Sequence, residues 1–203
     1  MSLLLIALLI FIDEMKQVVI INADIDKSDT TRVLIDSYNR GARQGGSHIK
    51  EIIIANLKFN PNKSIPERLV GPEPDLVDAI DTIRWASHIA IFCPVYKSSI
   101  NFKIKGFFER VFLPDQVFMV HQGRFSNDFS GRSARIISIL DEDAWNDWRL
   151  NQRQTYLPIK RRVLEKCNFK PVHTSTIGYL QSVDNKYSKK WLNKLHDFGT
   201  KLI

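Results

Sequence analysis

Three short stretches of the sequence hold residue types whose spacing could do chemistry. The first is ADIDKSDTTRVL, residues 23 to 34, where Ser28, Thr30 and Thr31 stand ahead of an amphipathic run. Hydroxyls at the start of a helix, with the unpaired amides of its first turn, can hold a phosphate. The same turn has no glycine and carries three carboxylates, Asp24, Asp26 and Asp29. An equally good account of the turn is that Ser28 or Asp29 is only the helix N-cap. The second stretch is CPVYKSSINFKIKGFFERVF, residues 93 to 112, with Pro94, Val95, Tyr96, Lys97 and Ser98 at a polar bend. The third is GRSARIISILDEDAW, residues 131 to 145, which places Asp141, Glu142 and Asp143 in a loop after an apolar run. No side-chain nucleophile stands out. His48, His88, His121, His173 and His196 have no metal-ligand spacing and read as core or surface histidines.

The elements that would position these stretches follow from the hydropathy pattern. From Lys16 onward, short β-rich apolar runs alternate with longer amphipathic ones, as in a parallel sheet covered on both faces by helices. Strands are expected at Gln17–Asn22, Ile49–Ala55, Ala90–Pro94, Ala134–Leu140 and Val172–Ile177. Helices are expected near Thr30–Gln44, Pro74–Ser87, Phe102–Phe112, Tyr156–Lys166 and Tyr187–Leu202. Five strands with helical crossovers suit an α/β, flavodoxin-like, doubly wound five-stranded parallel sheet of order 2-1-3-4-5, whose ligands lie beyond the carboxyl ends of the strands. The candidate residues of all three stretches lie at or just past such ends. Residues 61–74 and 123–131 read as surface excursions rather than linkers, so residues 15–203 form one domain in this reading.

On those motifs the chain resembles the NAD(P)H:quinone oxidoreductase family of flavodoxin-like flavoproteins. In that family the second stretch runs proline, a hydrophobe, aromatics, a small-residue bend, then a proline and Lys-Gly-aromatic-aromatic-acid-Arg-Val. VVIINADIDKSDTTRVL falls on the family's first strand and phosphate turn, and EPDLVDAIDTIRWASHIAIFCPVY on its second helix and third strand. GRSARIISILDEDAW resembles its fourth strand and flavin-edge loop, and KPVHTSTIGYLQSVDNKYSKKWLNKL its last strand and closing helix. The resemblance implies a bound flavin, FMN or FAD, with NAD(P)H as cosubstrate and a quinone or similar small molecule as electron acceptor. It assigns cofactor contacts to Asp24, Ser28, Thr30, Thr31, Pro94, Val95, Tyr96, Lys97, Ser98, Asp141, Glu142 and Asp143, and carries over no catalytic residue. It also implies a homodimer, for which Trp145, Trp148 and Tyr156 are candidate exposed interface or pocket-roof residues, or else ordinary packing under a long loop.

The departures from the family pattern fall at the same loops. Where the family has His-Pro and then Ser-Phe-Asn, this chain has Asp24-Ile25 and then Asp29-Thr30-Thr31. A carboxylate about 6 Å from a phosphate, at an effective dielectric of about 40, opposes it by roughly 1.4 kcal/mol per pair of unit charges. Carboxylates pointing outward would cost little. In the second loop Lys97 replaces an aromatic, Ser98 a small residue and Asn101 the proline. The alternative function is therefore a relative that binds flavin weakly or not at all and serves as a regulatory subunit, for example of a potassium-efflux system.

Bulk properties bound the rest. A net charge of +7, from 29 Lys and Arg against 22 Asp and Glu, is scattered apart from Lys160-Arg161-Arg162 and Lys189-Lys190, which argues against a nucleic-acid partner. Only two cysteines are present, Cys93 and Cys167, in keeping with a reducing cytoplasmic compartment rather than a disulfide framework. Residues 1–14 hold an apolar run, Leu3 to Ile12, too short for a spanning helix of about 20 residues. It reads as an extension ahead of a functional start at Met15 or as an extra element packed in a dimer, in preference to an anchor for a membrane-associated partner.

Overall fold

The computed structural model describes residues 16–62, 72–96, 100–112, 129–151, 157–180, 182 and 185–203. The apolar run at residues 3–12 and the predicted residues Lys97, Ser98 and Tyr156 lie outside them. Five strands, β1 (Gln17–Asn22), β2 (His48–Ile53), β3 (His88–Val95), β4 (Ser133–Leu140) and β5 (Val172–Ile177), form one sheet of order β2-β1-β3-β4-β5. All four pairings are parallel. The predicted fold class and strand order stand.

The apolar runs make these strands because both faces of the sheet are covered, so successive residues can all be hydrophobic. In β1, Val18 and Ile20 face one layer and Val19 and Ile21 the other. The first layer is α1 (Asp29–Gln44) with the C-terminal helix α6 (Lys186–Lys201). The second holds α2 (Pro74–Trp85), α3 (Phe102–Phe112) and a short helix α5 (Leu157–Ile159) that widens into a π-helical turn, Lys160–Leu164. Between β4 and α5 lies α4 (Glu142–Asn151).

Helices α1 and α6 approach so closely that glycine is required at the contact. A Cβ on Gly41 would lie 2.0 Å from the His196 carbonyl oxygen, and one on Gly199 would lie 2.2 Å from that of Tyr38. On the second face, Phe107, Phe108, Phe112, Phe129 and Phe169 form an edge-to-face and stacked chain of rings.

The bounds of β1, β5 and α3 are those expected, and the other elements differ from expectation by one residue or more. Strand β2 stops at Ile53 because the next three residues, Ile54–Asn56, turn into a 3-10 helix. Helix α2 ends at Trp85 rather than Ser87, since Ala86 is extended and its amide closes back on Ile83. Strand β3 is longer than predicted at both ends, running from His88 to Val95. The predicted third loop is largely helix: Asp141 Oδ1 accepts from the Ala144 amide at 2.7 Å, and α4 starts at Glu142. Aspartate is a strong N-cap, and Glu142 and Asp143 sit favourably at the positive end of the helix. Trp145 and Trp148 are half-buried rather than exposed, stacked with centroids 5.0 Å apart. Among the described residues no helix is long and apolar enough to cross a membrane.

Candidate functional site

The β1–α1 turn is built by side chains that bond the backbone just ahead of them. Asn22 Oδ1 accepts from the Asp24 amide at 3.0 Å, and Asp24 Oδ1 accepts from the Asp26 amide at 3.0 Å. These are successive Asx turns, the local bonding that Asn and Asp favour. The other oxygen of Asp24, Oδ2, accepts from the Ser28 amide at 3.0 Å and from the Ser28 hydroxyl at 2.6 Å. Lys27 is left-handed, with φ of 55°, and folds the chain back so that Ser28 reaches Asp24. Ser28 is the N-cap of α1, its Oγ accepting from the Thr31 amide at 3.3 Å and lying 3.0 Å from the Thr31 hydroxyl.

Asp24 is thus the hub of the turn, and its exposure is 0%. Asp26 and Asp29 are exposed. The sequence presented three equivalent aspartates, and the fold turns one of them inward. Of the predicted phosphate donors, Ser28 is committed to Asp24, Thr31 is buried against Ser28, and Thr30 is half-buried at the second position of α1. Of the three carboxylates, only Asp26 and Asp29 face solvent.

Strand β3 carries Pro94 and Val95, both buried, to the lip of the sheet, where Tyr96 emerges with 37% exposure. Its phenol bonds the Asp26 carboxylate, with Asp24 and Asp141 also near. Burial, and then these carboxylates, push its pKa well above the usual tyrosine value, so the hydroxyl stays a proton donor. Tyr96 therefore links the first loop to the third at the place where the sheet order reverses between β1 and β3. Val95 is continuous with Leu140, Ala144 and the Trp145–Trp148 pair, so the lip rests on an apolar base.

Beside that lip, past the ends of β4 and β5, opens a cavity of about 430 Å³ lined by Glu142, Trp145, Asn146, Arg149, Tyr179 and Tyr187, among others. Its size lies within the range of small-ligand pockets. Trp145 packs against Gly178, where a Cβ would come within 2.8 Å of the indole, and the Tyr187 hydroxyl accepts from the Gly178 amide at 3.0 Å. Sequence reasoning did not single out Arg149, Tyr179 and Tyr187. The available signal was the aromatic pair flanking residues 180–186. Asp143 is exposed on α4 and lies outside this lining.

Other reactive groups are silent. Burial pushes the Cys93 thiol up to about 12, so it is no nucleophile. His88 is buried between the Tyr38 hydroxyl, at 2.9 Å, and the Ser133 hydroxyl, at 2.6 Å, at the opposite end of β3. Among the described residues no group of His, Cys, Asp or Glu could hold a metal ion.

The flavin implied by the resemblance can be tested against this donor set. The cavity lining, Trp and Tyr rings with Arg149 and Glu142 at polar positions, is of a chemistry that suits a planar aromatic group. A phosphate at the β1–α1 turn does not fit. Three donors there already serve the Asp24 carboxylate and the Thr31 amide serves Ser28, so a phosphate drawn to the remaining first-turn amides would lie against a buried negative group.

Comparison with known proteins agrees on the architecture. The family described as flavodoxin-like fold matches residues 16–197. Among solved structures, Smu.1420 from Streptococcus mutans superposes with a TM-score of 0.71 at 16% identity, over 91% of this chain and 99% of its own. An NAD(P)H:quinone oxidoreductase from Methanothermobacter marburgensis gives 0.70 at 18% identity, over 93% and 96%. An FMN-dependent NADH-azoreductase from Bacillus anthracis, solved with FMN, gives 0.65 at 12% identity, over 93% and 99%. No curated protein matches the chain by sequence.

Proposed function

The chain belongs to the flavodoxin-like fold family, and from that premise we propose that it is a flavin-dependent NAD(P)H oxidoreductase whose electrons pass to a quinone or similar small acceptor. The observation that carries this reading is the convergence of loops at Tyr96. A half-exposed aromatic ring at the β1/β3 reversal, tied to Asp26 and near Asp141, stands where open α/β sheets take their ligands. The quinone oxidoreductase and azoreductase names among the structural neighbours agree with it.

A bound flavin would supply the hydride chemistry, and the protein would supply orientation and electrostatics. Tyr96 keeps its proton at Oη and offers a ring face at the lip. Trp145, Tyr179 and Tyr187 offer apolar walls, and Arg149 a positive charge for an anionic portion of a ligand. Val95 and Leu140 keep the floor dry. The same reading takes the acting unit to be a two-fold homodimer, the commonest soluble assembly, in the cytoplasm, where the buried thiols of Cys93 and Cys167 would stay reduced.

The experiment is reconstitution of the purified chain with riboflavin, FMN and FAD, followed by NADH or NADPH. A retained flavin spectrum that bleaches with nicotinamide supports the reading; failure to retain any of the three at micromolar concentration removes it. One observation favours a second reading, that of a regulatory relative with weak flavin binding: Asp24 already fills the first turn. That relative would bind a partner protein without bleaching.

A further inference from the structure

We propose that the Asp24 carboxylate is a built-in occupant of the anion position at the β1–α1 turn, so that this chain does not grip a ligand phosphate there and holds FMN no more tightly than riboflavin. The second clause rests on the flavin reading above; the first does not.

The geometry is that of an internal anion. The carboxylate accepts from two backbone amides, those of Asp26 and Ser28, and from the Ser28 hydroxyl, at 3.0, 3.0 and 2.6 Å. It is fully buried, directly ahead of the N-terminus of a 16-residue helix whose partial positive charge favours it. A phosphate at this position would need the same amide and hydroxyl donors. It would also have to lie against a carboxylate that cannot turn to solvent without breaking three bonds and undoing the Asx turns that shape the loop. The second acid of the turn, Asp26, is engaged with Tyr96, and Asp29 opens the helix itself. Lys27 is the near positive side chain in sequence, and its exposure leaves it solvated.

The consequence is selectivity read on affinity rather than on turnover. A phosphate held by charge-assisted bonds gains about tenfold or more in affinity. Without that grip, riboflavin and FMN bind within about threefold of each other, where tenfold is 1.4 kcal/mol.

The full-length chain tests this in two ways. In fluorescence titration, equal affinity for riboflavin and FMN is expected, and FMN binding tighter by tenfold or more overturns the proposal while leaving the flavin reading intact. In thermal melting, inorganic phosphate is compared with sodium chloride at matched ionic strength, with a domain of the same fold that lacks an anion site as the reference for general salting effects. The wild-type chain is expected to show no phosphate-specific rise, and such a rise overturns the proposal. If the wild-type chain binds no flavin at all, the melting comparison alone decides, and the proposed oxidoreductase falls separately. Asp24→Ser opens the position: FMN is expected to gain at least about tenfold over riboflavin, and the melting temperature to rise with phosphate. A folded Asp24→Ser chain showing neither gain overturns the proposal. Should that variant fail to fold, the two wild-type measurements stand on their own.

Discussion

At the scale of single residues, buried polar groups give this chain its clearest pH signature. His88 is held neutral, its pKa pushed down to about 3, first by burial and then by the charges of Arg135, His173 and Lys16. Its folded pKa lies below the unfolded value near 6.5, so its contribution is complete above about pH 6.5 and is lost as pH falls toward 3. The limiting slope is about 1.4 kcal/mol per pH unit for one proton. Denaturant midpoints measured at pH 7 and pH 5 should fall more for the wild type than for His88→Gln. Equal falls would show that the histidine titrates freely.

Glu73 adds to the acid limb at lower pH. Burial alone would raise its pKa, but bonds from Arg110 and the Asn60 amide outweigh that and bring it to about 2. A depressed carboxylate contributes stability above about 4.5 that is lost as pH falls toward 2. Arg110, 3% exposed, spans Glu73 with bonds of 3.0 and 2.5 Å and also donates to the Asn60 carbonyl at 3.0 Å. Glu73→Gln should cost about 2 kcal/mol at pH 7, below the range for a fully buried pair because Glu73 is partly exposed. Urea unfolding measures it. This pair joins residues 37 apart, and no local pattern in the sequence announces it. Asp24 was hidden for a different reason. Composition shows that a turn is acidic but not which acid points inward; the spacing Asn22, Asp24, Ser28, with Asx turns at each second residue, was the readable trace.

At the scale of elements, hydrophobic runs fixed by two-sided burial were legible, and polar elements were less so. The bounds of β1 and α3 match the sequence reading to the residue because their apolar content has no other place to go, and β5, a β-branched edge strand, matches as well. Helix α4 was read as a loop, since Asp141, Glu142 and Asp143 look like a solvated turn. Its signs were a capping aspartate followed by Ala144, Trp145 and Trp148 on one helical face. The widened turn at Lys160–Leu164 had no sequence signal, being set by the fit of Val163 and Leu164 under the sheet. The α1–α6 contact makes a sharp prediction. Gly199→Ala places a methyl 2.2 Å from the Tyr38 carbonyl, so the helices must separate. Overpacking of this kind costs about 1–3 kcal/mol, which lowers Tm by on the order of 5 °C in a chain of this length. Gly46→Ala, in open space but at φ of 77°, should cost less than that, through backbone strain alone. Differential scanning calorimetry of the two variants separates packing from strain.

At the scale of the molecule, the fold brings the three sequence stretches to one end of the sheet, and two of them meet at Tyr96. What the sequence could not show is that the β1–α1 turn would be internally satisfied while an aromatic cavity opened past the ends of β4 and β5. In the proposed reading, two properties that the resemblance joined come apart: a place for a flat redox group, and a grip on its phosphate. Arg149→Ala should weaken binding of an anionic ligand in the cavity by about tenfold without a measurable change in Tm, because its side chain is exposed. Titration of the riboflavin-loaded chain with NADPH, and melting of the same preparation, check both halves. The most direct test of the central claim is anaerobic addition of NADH or NADPH to the chain reconstituted with riboflavin. A retained flavin is expected, with a spectrum that bleaches and returns when a quinone is added. A chain that retains no flavin, or one whose bound flavin stays oxidised with either nicotinamide, would contradict it.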